Sequence, residues 1–275
     1  MNDVKPKTVI FTDLDGTMLN RLTFAYEESL PAIERLRQRG VPLIFCSAKT
    51  FAEQTELRRE LSSEDPFIVE NGAAVFIPEG YFSVALPPHR HFAKYLVIEF
   101  GKSYQEIRRV LEGIRRQQGL KFYGYTDMTV AEVMLETGLD EAAAGRAMRR
   151  DYEETLRFTG SADENRAALL AIRAAGLEYV RGARAYGVHG AGDKGKAALL
   201  LTDIFRRELG AVTTVGIGDS FNDKPLLAAV DRPFLVRNTD GVWSDVEVPN
   251  LRRVAAIGPV GFRQVIDELY GGFQD

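Results

Sequence analysis

Several short, wholly apolar runs stop abruptly on polar residues, and no other feature constrains the fold as strongly. Residues 8–12 are β-branched and apolar and end at Asp13, 41–46 end at Ser47, 67–69 end at Glu70-Asn71-Gly72, and 212–217 end at Gly218-Asp219. A strand with no polar alternation is buried on both faces, as in a parallel sheet covered by helices. Helical spacing fills the intervals. Leu30, Ile33 and Leu36 recur along 28–38 before Gly40, a charged helical stretch spans 51–61, and helices are predicted over 194–209 and from the Gly-Asp turn to Val230, before a strand at 234–236. Strand alternating with helix predicts an α/β fold, a doubly wound parallel-sheet core of the Rossmann-like kind.

The pattern changes after Gly72. Residues 74–77 and 81–85 flank Pro78-Glu79-Gly80, a predicted hairpin, and Pro87-Pro88 reads as a hinge. From Tyr95 to Val188 the chain reads as its own α+β unit: strand 95–99, helix 103–118, strand 121–125, helical pieces between 128 and 150, a further strand, helix 163–175, and paired strands 177–181 and 185–189. The expected organisation is a core of 1–86 and 190–275 with an inserted cap domain of 87–189. A length of 275 residues, above the ~100–200 of one ordinary domain, agrees with such an insertion.

Composition then excludes several classes. The single cysteine, Cys46, forms neither an intrachain disulfide nor a CxxC motif. With 35 Lys plus Arg against 39 Asp plus Glu, the net charge of −4 gives no whole-chain attraction to nucleic acid or anionic membrane. The first seven residues lack the apolar segment of a signal peptide, and no apolar run approaches the ~18–20 residues of a membrane span. A soluble, cytoplasmic protein is expected, with no nucleic-acid or membrane partner. Nothing in the sequence sets an oligomeric state.

Asp13 and Asp15, at i and i+2 on extended backbone with Leu14 turned away, place two acids toward one small site. Gly16 permits a sharp turn beside them. Paired carboxylates beyond a parallel strand suit a hard divalent cation such as Mg²⁺, and the second acidic cluster, Asp219, Asn222 and Asp223, follows another apolar strand and completes such a shell. Ligands of open α/β sheets bind outside the carboxyl ends of the strands, where Asp13, Ser47, Glu70, Asn71 and Asp219 emerge. Lys194, at a predicted helix start, supplies a cation for an anionic substrate held there, and Ser47 a hydroxyl. Lys49 and Thr50 are either first-turn residues or substrate contacts, and Asn71-Gly72 is also a turn signature. Arg157 and Arg184 in the insert suit bidentate recognition of a carboxylate or sugar, or belong to a solvated surface. The pairs Arg108-Arg109, Arg115-Arg116 and Arg149-Arg150 read as solvated helix faces.

Taken in order, Asp13-Leu14-Asp15-Gly16-Thr17, Ser47, Lys194 and Gly218-Asp219-Ser220-Phe221-Asn222-Asp223 resemble the four motifs of the haloacid dehalogenase superfamily phosphatases. An insert between the second and third motifs is similar to the large-cap branch that contains sugar phosphatases. The resemblance implies that Asp13 attacks phosphorus to form an aspartyl-phosphate, and that Asp15 protonates the leaving alcohol and later deprotonates water. It further implies that Ser47 and Lys194 hold the phosphoryl oxygens, and that Asp13, the backbone carbonyl of Asp15 and Asp219 ligate Mg²⁺. Asn222 and Asp223 would support the metal shell or orient Lys194.

A narrower set, Ser47-Ala48-Lys49-Thr50, Glu70-Asn71-Gly72-Ala73-Ala74, Gly192-Asp193-Lys194-Gly195-Lys196-Ala197 and the Gly218–Asp223 run, resembles the mannosyl-3-phosphoglycerate phosphatase family. It implies a small phosphorylated metabolite as substrate, mannosyl-3-phosphoglycerate or a related phosphorylated sugar or glycoside. The cap segments Arg157-Phe158-Thr159-Gly160-Ser161 and Gly182-Ala183-Arg184-Ala185-Tyr186-Gly187 depart from that family's pattern. The rival readings are a phosphatase for another phosphosugar, a phosphomutase, and a non-catalytic sugar-phosphate sensor.

Overall fold

The computed structural model describes residues 6–182 and 185–271. The chain runs through β1 (Lys7–Thr12), α1 (Leu30–Gln38), β2 (Leu43–Cys46), α2 (Phe51–Glu60), β3 (Phe67–Val69), β4 (Ala74–Pro78), β5 (Arg90–Phe92) and β6 (Tyr95–Glu99). An inserted unit follows, with α3 (Tyr104–Gln118), β7 (Phe122–Gly124), α4 (Val130–Thr137), α5 (Glu141–Ala147), β8 (Glu153–Phe158), α6 (Ala162–Ala174), β9 (Glu178–Arg181) and β10 (Tyr186–His189). The chain returns through α7 (Lys194–Leu209), β11 (Val212–Gly218), α8 (Lys224–Ala228), β12 (Arg232–Arg237), β13 (Arg252–Ile257) and α9 (Gly258–Tyr270).

Among the described residues the large sheet has the order β13-β12-β11-β1-β2-β3-β4-β6-β5. It is parallel from β13 to β3 and antiparallel beyond. Successive residues of β1 point to opposite faces, and both faces are covered, which is why the run is apolar throughout. Val9 and Phe11 pack with Ala197, Leu201 and Phe205 of α7, whereas Ile10 joins Ile33 and Leu36 of α1 and Phe262 and Ile266 of α9. β1 lies between β2 and β11, so the chain winds in opposite directions on its two sides. The crevice at the carboxyl end of such a switch point is where ligands of these sheets bind.

Three features depart from the sequence expectation. The strand 95–99, expected to open the inserted unit, instead pairs antiparallel with β4, Tyr95 opposite Pro78 and Glu99 opposite Ala74. The large sheet therefore continues past the boundary expected at residue 87. An aromatic face explains this, because Tyr95 and Phe92 complete a cluster with Phe51, Phe67 and Phe76 whose ring centroids lie 4.7–6.3 Å apart. The expected 81–85 hairpin arm is not a strand. Its Tyr81 and Phe82 pack edge-on against Phe205 of α7, and Glu208 accepts the amides of Ser83 and Val84. The third departure is β13 with α9, which the sequence reading omitted. Phe262, Val265, Ile266 and Leu269 carry helical spacing that signals α9, and they cover the same sheet face as α1.

The insert forms a second sheet, β7-β8-β10-β9, antiparallel throughout. Leu156, Phe122 and Val188 on one face pack against Ile107, Leu111 and Ile114 of α3 and Ala168 and Ile172 of α6. The opposite face carries Tyr123 and Arg157, paired across β7 and β8, and Glu136 of α4 meets both. Among the described residues no helix is long and apolar enough to cross a membrane. Ala183, Arg184 and residues 1–5 lie outside the described residues, and with them the Arg184 expectation and most of that for the amino terminus.

Candidate active site

Asp13 follows β1 directly, its amide donating to the Ile217 carbonyl of β11 at 2.9 Å. Leu14 is fully buried, which turns the backbone so that Asp13 and Asp15 both emerge at the sheet's end. Gly16 closes the turn at φ +96°, and a Cβ there would lie 2.5 Å from Asp219 Oδ2. Residue 16 must therefore be glycine for the two acidic loops to meet.

Lys194 opens α7, whose first turn is capped by Asp193, the side chain accepting from the Lys196 amide at 2.8 Å. Its stem threads the core at 1% exposure and delivers Nζ to Asp13 Oδ1 at 2.6 Å and to Asp223 Oδ1 at 2.7 Å. Burial alone would lower the ammonium, but these two carboxylates hold it above its ordinary range. Asp223 is fixed in turn. Its Oδ2 accepts the amides of Asp219 at 3.0 Å and Ser220 at 3.1 Å.

Asp13, Asp219 and Asp223 each bring a carboxylate oxygen within 4.8 Å of the others, all three buried. Burial first, and then the facing Asp223 carboxylate, push Asp13 up to about 7 and Asp219 up to about 8. One buried ammonium does not neutralise three buried carboxylates, and Asp219 Oδ1 is buried without a hydrogen-bond partner. An all-oxygen donor set with spare negative charge and an orphaned carboxylate oxygen fits a hard divalent cation. Arg21 reaches the same place from solvent, its Nη1 donating to the Asp15 carbonyl at 3.0 Å and standing 3.4 Å from Asp219 Oδ2.

The cluster makes a testable demand on stability. A carboxylate whose folded pKa exceeds its unfolded value stabilises the protein below the unfolded pKa, and that contribution is lost as pH rises through the folded pKa. For Asp13 and Asp219 the window runs from about 4 to about 8. In chelator-treated protein, Asp219→Asn is therefore expected to be more stable than wild type at pH 8 by on the order of 1–3 kcal/mol, with the difference shrinking toward pH 5. Urea midpoints across this range measure it, and a variant less stable than wild type at pH 8 would contradict it.

The other expected residues are distributed unevenly. Asp15 is partly exposed, and its Oδ1 meets Lys49 Nζ at 3.0 Å. Lys49 also lies 3.6 Å from Glu53 and over the Phe24 ring, and although burial opposes it, the two carboxylates hold the ammonium above its ordinary range. Ser47 is buried at the end of β2, its Oγ accepting from the Lys49 amide at 3.2 Å. Asn222 accepts from the Ser220 hydroxyl and donates to Asn71 Oδ1, 3.3 Å away.

Thr50, a candidate substrate contact, is fully buried. It caps α2 by accepting from the Glu53 amide at 3.1 Å and donates to the Arg146 carbonyl of the insert at 3.0 Å, so its hydroxyl is already used. Asn71 donates to Glu153 Oε2 at 2.7 Å. Arg157 forms an ion pair with Glu136 on the insert's open sheet face.

Sequence reasoning also missed residues at this junction. Arg150, assigned to a solvated face, is buried, with both Nη atoms 3.2 Å from the Ala48 carbonyl and Glu153 at 3.4 Å. Arg108 and Arg115 likewise pair with Glu154 and Asp127, because the insert's helices pack on a sheet rather than stand free. Glu70 accepts three successive amides of the insert, from Asp151, Tyr152 and Glu153, and burial, against the pull of Arg150 and these amides, pushes its carboxyl up to about 7. The sequence had placed Glu70 at the carboxyl end of a strand, and what it did not show is the carboxylate's grip on the insert.

A model of the haloacid dehalogenase-like hydrolases matches residues 10–112. The glucosyl-3-phosphoglycerate/mannosyl-3-phosphoglycerate phosphatase of Methanococcoides burtonii is 42% identical over 266 residues, 96% of this chain and 98% of that one. The mannosyl-3-phosphoglycerate phosphatase of Pyrococcus horikoshii is 40% identical over 228 residues, 83% of this chain and 90% of that one. A haloacid dehalogenase-like hydrolase from B. subtilis has the same fold, with a TM-score of 0.65 at 14% identity, covering 95% of this chain and 99% of that one.

Proposed function

Because the chain belongs to the haloacid dehalogenase-like hydrolases and is a phosphatase, we propose that it hydrolyses mannosyl-3-phosphoglycerate, and its glucosyl counterpart, with Mg²⁺ as cofactor. The observation that carries the reading is the buried Asp13-Lys194-Asp223 chain beside the unpartnered Asp219 Oδ1, at the switch point of the sheet. Asp13, Asp219 and the Asp15 carbonyl would hold the cation, with Asp223 completing the acidic surround. When bound, it supplies positive charge against the phosphoryl oxygens.

In this account an Asp13 carboxylate oxygen forms a bond to phosphorus as the bond from phosphorus to the substrate oxygen breaks, and Asp15 gives that oxygen its proton. Water then attacks phosphorus, Asp15 takes its proton, and the bond to Asp13 breaks to return the free carboxylate. Lys194 neutralises the phosphoryl group and Ser47 donates to it. The four-stranded insert acts as a cap that excludes bulk water from this exchange. A phosphorylated glycerate glycoside also carries a carboxylate and hydroxyls. Lys49, Arg150 and Arg157, each paired with a carboxylate in the free protein, could exchange that partner for the carboxylate of such a substrate.

Phosphate release from the two glycosides tests the proposal. The expected result is one inorganic phosphate per glycoside consumed, with chelation of divalent cations lowering the rate by at least ~10³-fold. No phosphate from either compound in the presence of Mg²⁺ would overturn it.

A further inference from the structure

Glu70, Asn71 and Gly72 have three successive positive φ angles, 46°, 58° and 95°. For the first two residues this left-handed region carries a steric cost, and such runs persist where the surroundings over-determine them. Inward, the turn is held against the catalytic loops. The Glu70 amide donates to the Lys49 carbonyl at 3.1 Å, the Asn71 amide to the Ser47 carbonyl at 3.0 Å, and a Cβ on Gly72 would lie 2.4 Å from the Lys194 amide nitrogen. One short turn therefore touches the segments carrying Ser47, Lys49 and Lys194.

Outward, the same turn grips the insert. Glu70 Oε1 accepts the Asp151 amide at 3.0 Å, and Oε2 accepts those of Tyr152 at 2.9 Å and Glu153 at 2.7 Å. Asn71 adds its bond to the Glu153 carboxylate while accepting from Asn222 of the acidic loop. Three consecutive amides on one carboxylate fix the backbone direction at the entry to β8, and Arg150 immediately upstream reaches the Ala48 carbonyl beside Ser47. Glu70 is fully buried, so water cannot replace it in this role.

We propose that Glu70 is a positioning residue: its carboxylate sets the register of the insert over the phosphoryl site, so that turnover of a large phosphoester requires it and turnover of a minimal one does not. This rests on the reading of Asp13 as nucleophile and of the insert as a cap. No group of Glu70 touches the reacting atoms. It acts through Asp151–Glu153 and the side chains that these residues carry.

The test uses the full chain with Glu70→Gln and Glu70→Ala, p-nitrophenyl phosphate as the minimal ester, mannosyl-3-phosphoglycerate as the large one, and amide hydrogen exchange as a readout independent of turnover. Glu70→Gln keeps the shape but removes the charge and turns an N–H toward the amides. The expected result is a loss of 30-fold or more in kcat/KM for the glycoside, seen in both kcat and KM, with p-nitrophenyl phosphate within threefold of wild type. Exchange at residues 151–153 should accelerate at least tenfold while that within α7 stays unchanged. Parallel losses on both esters, with faster exchange throughout, would reduce Glu70 to a general structural role and overturn the proposal, as would unchanged exchange at 151–153. If wild type cleaves p-nitrophenyl phosphate but not the glycoside, the substrate reading fails, and the exchange pattern together with a hexose phosphate in place of the glycoside decides the positioning role.

Discussion

Asp13→Asn is expected to lower kcat for phosphate release by about 10⁴-fold or more, because a neutral amide has no anionic oxygen to offer phosphorus. The fold should survive the change. The amide oxygen can still accept from Lys194, whose other bond, to Asp223, is untouched. Removing one of three mutually repelling carboxylates also relieves the cluster. Steady-state phosphate release paired with a urea unfolding curve separates the two effects. Loss of turnover with an intact, cooperative transition supports Asp13 as the nucleophile, whereas activity within tenfold of wild type would remove it from that role.

Lys194→Met is the second large expectation, and it combines stability with turnover. Nζ is the buried cation between Asp13 and Asp223, and the stem is as deeply enclosed as the core phenylalanines. Methionine fills much of the space but leaves the carboxylates facing one another uncompensated. Removing one partner of a buried ion pair costs about 3–5 kcal/mol, so a loss of that order is expected at pH 8. The sign of its pH dependence follows from the raised pKa of Asp13 and Asp219. Below about pH 5 both are protonated in the folded protein and the loss should shrink, whereas above about pH 8 both are charged and it should be greatest. Urea midpoints at the two ends of that range check this, and a pH-independent loss would mean that Lys194 acts by packing alone. Turnover should fall by at least ~10³-fold under conditions where the variant remains folded.

What was legible in the sequence is what local pattern controls. β1, β2, β3 and β11 were readable because strands buried on both faces must be apolar throughout, and because each one ends where a polar residue leaves the sheet for the crevice. The same logic located Asp13, Ser47 and Asp219 before any contact was known. Lys194, a common helix-start lysine by itself, stood out through its order among the resembling motifs, and the structure brings it to Asp13 and Asp223.

The remainder depends on pairing between distant segments. β6 was assigned to the insert because its sequence does not say which sheet it joins. That choice is made by the aromatic face formed with Phe51, Phe67 and Phe76. Arg150 looked solvated because helical charge pairs usually are, and only the approach of the Ala48 carbonyl and Glu153 reveals its burial. Thr50 was read as either a first-turn residue or a substrate contact, and Glu53 three residues on completes a capping box, a local pattern in the sequence that favours the first. Asn222 was placed with the metal shell by motif order. Its amide also joins Asn71, a partner 151 positions away that no local pattern signals.

On the proposed reading, this site recognises the whole phosphorylated glycoside and not the phosphate alone. The most direct measurement is kcat/KM for phosphate release, with Mg²⁺, from mannosyl- and glucosyl-3-phosphoglycerate relative to 3-phosphoglycerate lacking the sugar. The expected result is a preference of ~10²-fold or more for at least one glycoside, about 2.7 kcal/mol of transition-state discrimination. Equal values for the glycosides and the bare phosphoglycerate would contradict it.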